Sequence, residues 1–166
     1  MGKSFSFYKE LASHSHVQER NREANRIDHD LNMHPTSKSA NKIGKSSRGF
    51  DHVFWFGDLN YRIDTTFSMI MTLIEKSQFE VLLNNDQLTK EMKKHRCFKG
   101  FKEAEISFAP TYKLKSNRQY DAQRIPGYTD RVLFKSQKSI ECFFYQSFDL
   151  QISDHQAVMW IGAISV

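Results

Sequence analysis

Residues 54–64 read FWFGDLNYRID: Phe54, Trp55 and Phe56 run straight into Gly57, an acid and an amide. Such a run predicts a strand buried on both faces, and Gly57 permits a sharp exit. Asp58 and Asn60 then stand two apart just past the strand end, where both reach one spot. A carboxylate and an amide there suit a site for water, a metal ion or a phosphate. They suit equally a turn closed by Asx bonds, which are common after strands.

Downstream of this strand, DTTFSMIMTLIEKSQ (64–78) carries Phe67, Ile70, Met71 and Ile74 at i, i+3, i+4, i+7 and predicts a helix. Asp64 or Thr65 stands ready to cap it. A second helix is expected over about 85–95, with Leu88 and Met92 on one side and cations in its last turn. Ile106 and Phe108 flank polar Ser107, suggesting a short strand. Arg131–Phe134 and Ile140–Tyr145 read as strands, and the terminal AVMWIGAISV as a nearly continuous apolar one. Upstream, Leu11, Val17, Ala24, Ile27 and Leu31 fall at loosely helical spacing, predicting a polar helix over about 16–32. Residues 34–49, rich in Ser, Lys and Gly, read as a mobile basic loop. Strands mixed with helices imply an α/β layered fold with chemistry on the loops at strand ends.

The 166 residues suffice for one domain, and 39% hydrophobic content with 14 Phe fills a core. Net charge of +5 suits anionic partners: nucleic acid, phospholipid headgroups or phosphorylated small molecules. Charge alone does not choose among them. Cys97 and Cys142 form no C-x-x-C and fit free thiols in a reducing compartment. No apolar run reaches the ~18 residues of a membrane helix, and no secretory signal is visible. The opening MGKSFS fits the N-myristoylation pattern through Gly2 and Ser6.

Three polar clusters sit beside apolar strands: Gly57-Asp58-x-Asn60-x-Arg62, RIPGYTDRVLF (124–134) with Asp130, and SDHQAV (153–158) with Asp154 and His155. If the strands are neighbours, three carboxylates, an amide and an imidazole converge at one edge. Uncompensated burial of so many polar groups is costly, so they pair, bind ions or face water. Asp130 has a simple alternative, pairing with Arg131 or capping a turn. Asp and His together suit phosphoryl chemistry: a carboxylate takes a proton from water while a metal ion and an imidazolium neutralise phosphate charge.

FWFGDLNYR, RIPGYTDRVL and SDHQAV together resemble the signature motifs of the inositol polyphosphate 5-phosphatases, within the DNase I-like endonuclease/exonuclease/phosphatase superfamily. The linking segment, residues 85–113, is most similar to the type IV branch. The resemblance covers about 50–166 closely and about 10–33 weakly. It implies a DNase I-like layered β-sandwich with flanking helices (α/β, or α+β), present as a C-terminal half. On that reading 1–49 form the polar helix and mobile basic loop, and 50–166 the second half of the catalytic domain.

The implied reaction is Mg²⁺-dependent hydrolysis of the 5-phosphate of phosphatidylinositol 4,5-bisphosphate and 3,4,5-trisphosphate. By position, Asp58 would activate the attacking water and Asn60 orient it or the phosphate. His155 would bind phosphate with Asp130 orienting the imidazole, and Asp154 would complete the metal and phosphate environment. Tyr112 and Lys113 match residues that read the neighbouring 4-phosphate; Arg124 and Arg62 join them as basic substrate-side positions. The family's metal-binding Glu and an Asn-bearing first strand have no counterpart, so weak or absent activity is expected. Glu10-Leu11 replaces a His-Leu pair, Ala122 stands where a Lys is frequent, and ISV ends the chain without a prenylation Cys. Phosphoinositide headgroups at a membrane surface are the expected partners, with no nucleic acid. A protein partner is expected over an apolar sheet edge. The expected location is cytoplasmic and peripheral to membranes, with cilium or Golgi suggested by the type IV resemblance. A non-catalytic inositol phosphate-binding fragment and a related nuclease are the alternative readings.

Overall fold

The computed structural model describes residues 3–30 and 50–165, with side chains over 16–29 and 50–165. Gly2, Leu31 and the expected basic loop at 34–49 lie outside the described residues. In chain order the elements are α1 (Lys3–Asp30), β1 (His52–Asp58), α2 (Phe67–Glu75), α3 (Phe79–Asn84) and α4 (Gln87–Lys93). The strands β2 (Lys102–Glu103), β3 (Asp130–Ser136), β4 (Ile140–Phe148) and β5 (Ala157–Ile164) follow.

The aromatic run lies in β1, which pairs antiparallel with β3 along its whole length. The sheet order is β1-β3-β2, while β4 and β5 form a separate antiparallel pair with an irregularity between Cys142 and Phe144. Trp160 of β5 joins the two sheets, its ring 5.6 Å from Phe54 and 6.0 Å from Phe134. Successive strand residues point to opposite faces, so Trp55 turns away and meets Phe98 edge-on at 5.0 Å. Two cores result, one under α1 and α4 and one between the sheets beneath α2. Phe54 and Trp55 are therefore only half-buried, one on each face, and the expected burial fails outright for Phe56, which is 72% exposed. The small sheet covers the Phe54 end and leaves Phe56 beside an open cavity.

The helix of 64–78 forms as α2, but Thr66 caps it, accepting from Met69 N at 3.3 Å, in place of Asp64 or Thr65. The helix expected at 85–95 is α4, capped by Asp86 through Thr89 N at 2.8 Å. α3 was not anticipated. Ile106 and Phe108 are buried but belong to no strand; the strand in this region is β2, against Leu133 and Phe134. Phe108 instead packs on Tyr145 at 5.3 Å, so the alternation marks an irregular segment anchored inward. α1 begins well before residue 16. It buries Val17, Ala24 and the polar Asn21, whereas Ile27 is exposed. Asn21 accepts from the Tyr61 hydroxyl at 2.8 Å and donates to Glu91 of α4 at 2.6 Å, so a polar contact joins Val17 and Ala24 in seating this helix.

Arg131 is buried and reaches Asp86 at 2.8 Å and Glu103 at 2.6 Å, tying β3 to the start of α4 and to β2. Its partner is therefore not Asp130, the neighbour offered by the sequence, because adjacent residues on a strand face opposite ways. The two carboxylates hold the guanidinium pKa well above its ordinary value against the opposing effect of burial.

Candidate active site

The first motif leaves β1 through Gly57, whose φ of +128° lies where side chains are rarely tolerated. Asn60 follows at φ 59°, a left-handed conformation that Asn accepts better than most residues. Its backbone N–H donates to Asp58 Oδ1 at 2.8 Å. The turn and the convergence of polar groups are thus one structure, not alternatives. Arg62 donates to Asn60 Oδ1 at 2.5 Å and lays its guanidinium 4.5 Å over the Tyr112 ring. The loop is anchored from behind, since Gln87 N donates to Arg62 O at 2.9 Å and Gln87 Oε1 accepts from Arg62 N at 3.0 Å.

The β1–β3 register sets Asp58 directly opposite Asp130. Leu59 N donates to Thr129 O at 2.7 Å, extending the contact past the strand end. Gly127 brings the second motif against the first: a Cβ there would lie 3.1 Å from Tyr61 O. The third motif joins through Gln156 N, which donates to Thr111 O at 2.8 Å, and through a bridge between Tyr112 and His155.

At the centre, His155 Nδ1 lies 2.9 Å from Asp130 Oδ2. The same oxygen accepts from Thr111 Oγ1 at 2.6 Å and Thr129 Oγ1 at 2.8 Å, both threonines being wholly buried. Tyr112 packs its ring 4.5 Å from the imidazole. Asp130 is thus held by two hydroxyls and holds the imidazole in turn. Nearby, Tyr120 donates to Pro110 O at 2.6 Å, and burial raises its phenol pKa, as it does for Tyr128, so both stay neutral. A cavity of about 310 Å³ opens beside Asp130 and His155, with Phe56, Leu150, Ile152 and Val158 forming its apolar part.

The structure therefore gathers Asp58, Asn60, Arg62, Tyr112, Asp130 and His155. Lys113 and Asp154 adjoin them, paired with each other at 3.6 Å, while Leu114 N donates to Asp154 O at 2.8 Å. Arg124 stands apart, its side chain exposed on a turn closed by Arg124 N to Asp121 O at 3.0 Å. Thr111 and Thr129 were missed; each sits next to an expected residue, but only the tertiary fold aims its hydroxyl at Asp130.

Among the described residues no group of three or more His, Cys, Asp or Glu side chains is placed to hold a metal ion. Asp130 is engaged by His155 and the threonines, and Asp154 by Lys113. The described donors do not by themselves fit a Mg²⁺ ion.

A family model for the Endonuclease/Exonuclease/phosphatase family 2 matches residues 8–161. The mouse phosphatidylinositol polyphosphate 5-phosphatase type IV is 40% identical over 145 residues, covering 81% of this chain and 22% of its own. Among solved structures, the inositol polyphosphate 5-phosphatase domain of SPsynaptojanin, in complex with inositol (1,4)-bisphosphate and calcium ion, matches with a TM-score of 0.73. It is 33% identical, over 84% of this chain and 40% of that one. Cimex nitrophorin, solved as a ferrous NO complex, matches with a TM-score of 0.66 and 32% identity, over 82% of this chain and 45% of that one. The chain belongs to the endonuclease/exonuclease/phosphatase family and, within it, to the inositol polyphosphate 5-phosphatases. Its fold is the DNase I-like arrangement of helices and antiparallel sheets. It spans about a fifth of the mouse relative's length (22%) and less than half of the solved domain (40%).

Proposed function

We propose that the chain supplies the phosphate-binding and proton-handling side of a phosphoinositide 5-phosphatase site. The substrates are phosphatidylinositol 4,5-bisphosphate and 3,4,5-trisphosphate, whose headgroups place the protein at a membrane surface on the cytoplasmic side. The observation that carries the reading is the Asp130–His155 pair at 2.9 Å, set beside Asp58 by the strand register. Asp58 takes a proton from water as the water attacks phosphorus. The bond from phosphorus to the inositol 5-oxygen breaks, and that oxygen takes up a proton from solvent, giving inorganic phosphate and the alcohol. His155, held through Nδ1 by Asp130, presents its other ring nitrogen to the phosphate oxygens. Arg62 fixes the Asn60 amide and the Tyr112 ring, so both are preorganised for the substrate. Lys113 offers a cation for the neighbouring 4-phosphate. Mg²⁺, if bound, would supply positive charge at the phosphoryl oxygens, and its ligands would come from beyond the described donors.

The test is phosphate release from phosphatidylinositol 3,4,5-trisphosphate by the purified 166-residue chain with Mg²⁺, beside a full-length homologue. The chain alone is expected to release little phosphate yet bind inositol 1,4,5-trisphosphate in calorimetry, with binding lost in His155→Ala. Absence of binding contradicts the reading. Turnover equal to the homologue contradicts the expected need for further ligands.

The missing metal ligand set among the described residues favours a second reading, a non-catalytic inositol phosphate-binding module. Cimex nitrophorin, at 32% identity, adds that this fold is not confined to proteins named as phosphatases. Binding without turnover, even after a complete domain is assembled around the chain, supports this second reading. Plasmid nicking with Mg²⁺ would instead support a nuclease.

A further inference from the structure

The segment that delivers His155 has little packing to hold it. Residues 149–156 join β4 to β5, and every residue from Asp149 to Asp154 is exposed. A loop with so few buried apolar contacts keeps its shape through polar ties. His155 nevertheless stands within hydrogen-bond reach of Asp130.

Arg118 spans that loop. Its Nε donates to Asp149 Oδ2 at 2.8 Å, its Nη2 pairs with the same carboxylate, and its Nη1 donates to Ser153 O at 2.7 Å. It thus grips the loop where it leaves β4 and again just before Asp154. Ser153 passes the hold on, because its hydroxyl oxygen accepts from His155 N at 3.1 Å. A planar, forked guanidinium suits two acceptors at once in a way an ammonium does not. The turn that carries Arg118 is itself well anchored. Lys115 N donates to Gln119 O at 2.8 Å and Arg118 N to Lys115 O at 2.9 Å. Below the turn, Leu114 is buried and Tyr120 donates to Pro110 O at 2.6 Å. Arg118 adopts φ 63°, a left-handed conformation that Gly or Asn takes more readily. The backbone alone would favour another residue there, so the advantage of arginine lies in its reach.

We propose that Arg118 is a positioning residue for His155: it clamps the 149–153 loop onto the 114–120 turn and so sets the imidazole between Asp130 and the phosphate. Both arms of the guanidinium are engaged by the loop, which separates this role from direct contact with substrate. The clamp itself stands on geometry; its effect on ligand rests on the reading of His155 as the phosphate-facing group.

The experiment compares the 166-residue chain with Arg118→Asn, Asp149→Asn, the double variant and Lys138→Asn. The last removes an exposed cation beyond the far end of β3. Without ligand, ¹⁵N relaxation is expected to show 150–155 losing order in Arg118→Asn, and the ring ¹⁵N signals of His155 to move toward those of a free imidazole. The melting temperature should hardly change, since Asn suits the left-handed turn and a surface ion pair contributes little. With inositol 1,4,5-trisphosphate, calorimetry is expected to show affinity falling about fivefold or more in Arg118→Asn. Asp149→Asn keeps the Ser153 tie and should lose less, and the double variant should bind no more weakly than Arg118→Asn alone. Lys138→Asn should match the wild type. Unchanged loop order in Arg118→Asn overturns the proposal. So does tighter binding by Asp149→Asn, which would make Arg118 a substrate-side cation released from its partner. Loss of loop order in Arg118→Asn, in a chain whose wild type binds no ligand, supports the clamp and contradicts the phosphate reading of the site instead.

Discussion

Thr111 and Thr129 direct their hydroxyls at the same oxygen of Asp130, from 2.6 and 2.8 Å, and both are wholly buried. That oxygen also meets His155 Nδ1. The carboxylate is therefore fixed from two sides before it fixes the imidazole. Thr111→Val keeps the shape and removes one charged hydrogen bond, which is expected to cost about 1–3 kcal/mol. Urea denaturation measures the loss, and calorimetry with inositol 1,4,5-trisphosphate should show weaker binding. Wild-type affinity in a Thr111→Val, Thr129→Val double variant would mean that Asp130 needs no such support.

Arg131 is a buried cation held between two carboxylates. Removing it leaves Asp86 and Glu103 buried without their cation. Arg131→Leu is expected to destabilise by about 3–5 kcal/mol, read as a shift of the urea midpoint. A shift under about 1 kcal/mol, the range of exposed pairs, would show that this network holds nothing together.

Gly162 lies beneath Trp160. A Cβ at that position would come within 2.2 Å of the indole and 2.3 Å of Glu141 O. Gly162→Ala must therefore displace Trp160, the ring that joins the sheets, and is expected to cost about 1–3 kcal/mol as an overpacked core. A changed tryptophan emission maximum should accompany the lowered melting temperature.

Glu91 seats α1 through Asn21 and is held by Arg96. Hydrogen bonds from Arg96 first, then from Asn21, lower its carboxyl pKa despite burial. A carboxyl with a depressed folded pKa contributes stability above its unfolded pKa of about 4.3, and that contribution is lost as pH falls through the folded value. Glu91→Gln is therefore expected to lower stability at neutral pH and to flatten the acid limb of the curve. Denaturant melts from pH 7 down to about pH 3 measure both. An unchanged acid limb would place the acid sensitivity elsewhere.

Much of the site was legible in sequence because its residues interrupt apolar strands. A carboxylate after Phe54-Trp55-Phe56, and an Asp-His pair before a terminal apolar run, stand out against strand periodicity. The strands β1, β3, β4 and β5 and the helix α2 were readable for the same reason, since each carries several apolar residues in register. What was hidden depends on distant partners. Arg131 looked like a neighbour for Asp130 until β2 and α4 supplied its acids. Thr111 and Thr129 look like ordinary loop residues until the fold points them at one oxygen. The short α3 is too brief for its periodicity to register, and it buries a single residue, Leu82. Phe56 misled because strand burial depends on what covers the sheet, which no local pattern encodes.

The central claim is that three segments far apart in sequence make one anion site. Chemical-shift mapping of the ¹⁵N-labelled chain with inositol 1,4,5-trisphosphate tests it directly. The expected result is a set of perturbed amides confined to 58–62, 111–114, 129–131 and 154–156, absent in His155→Ala. Perturbations centred instead on the polar groove between α1 and α4, around Asn21, Lys90 and Lys94, would contradict it.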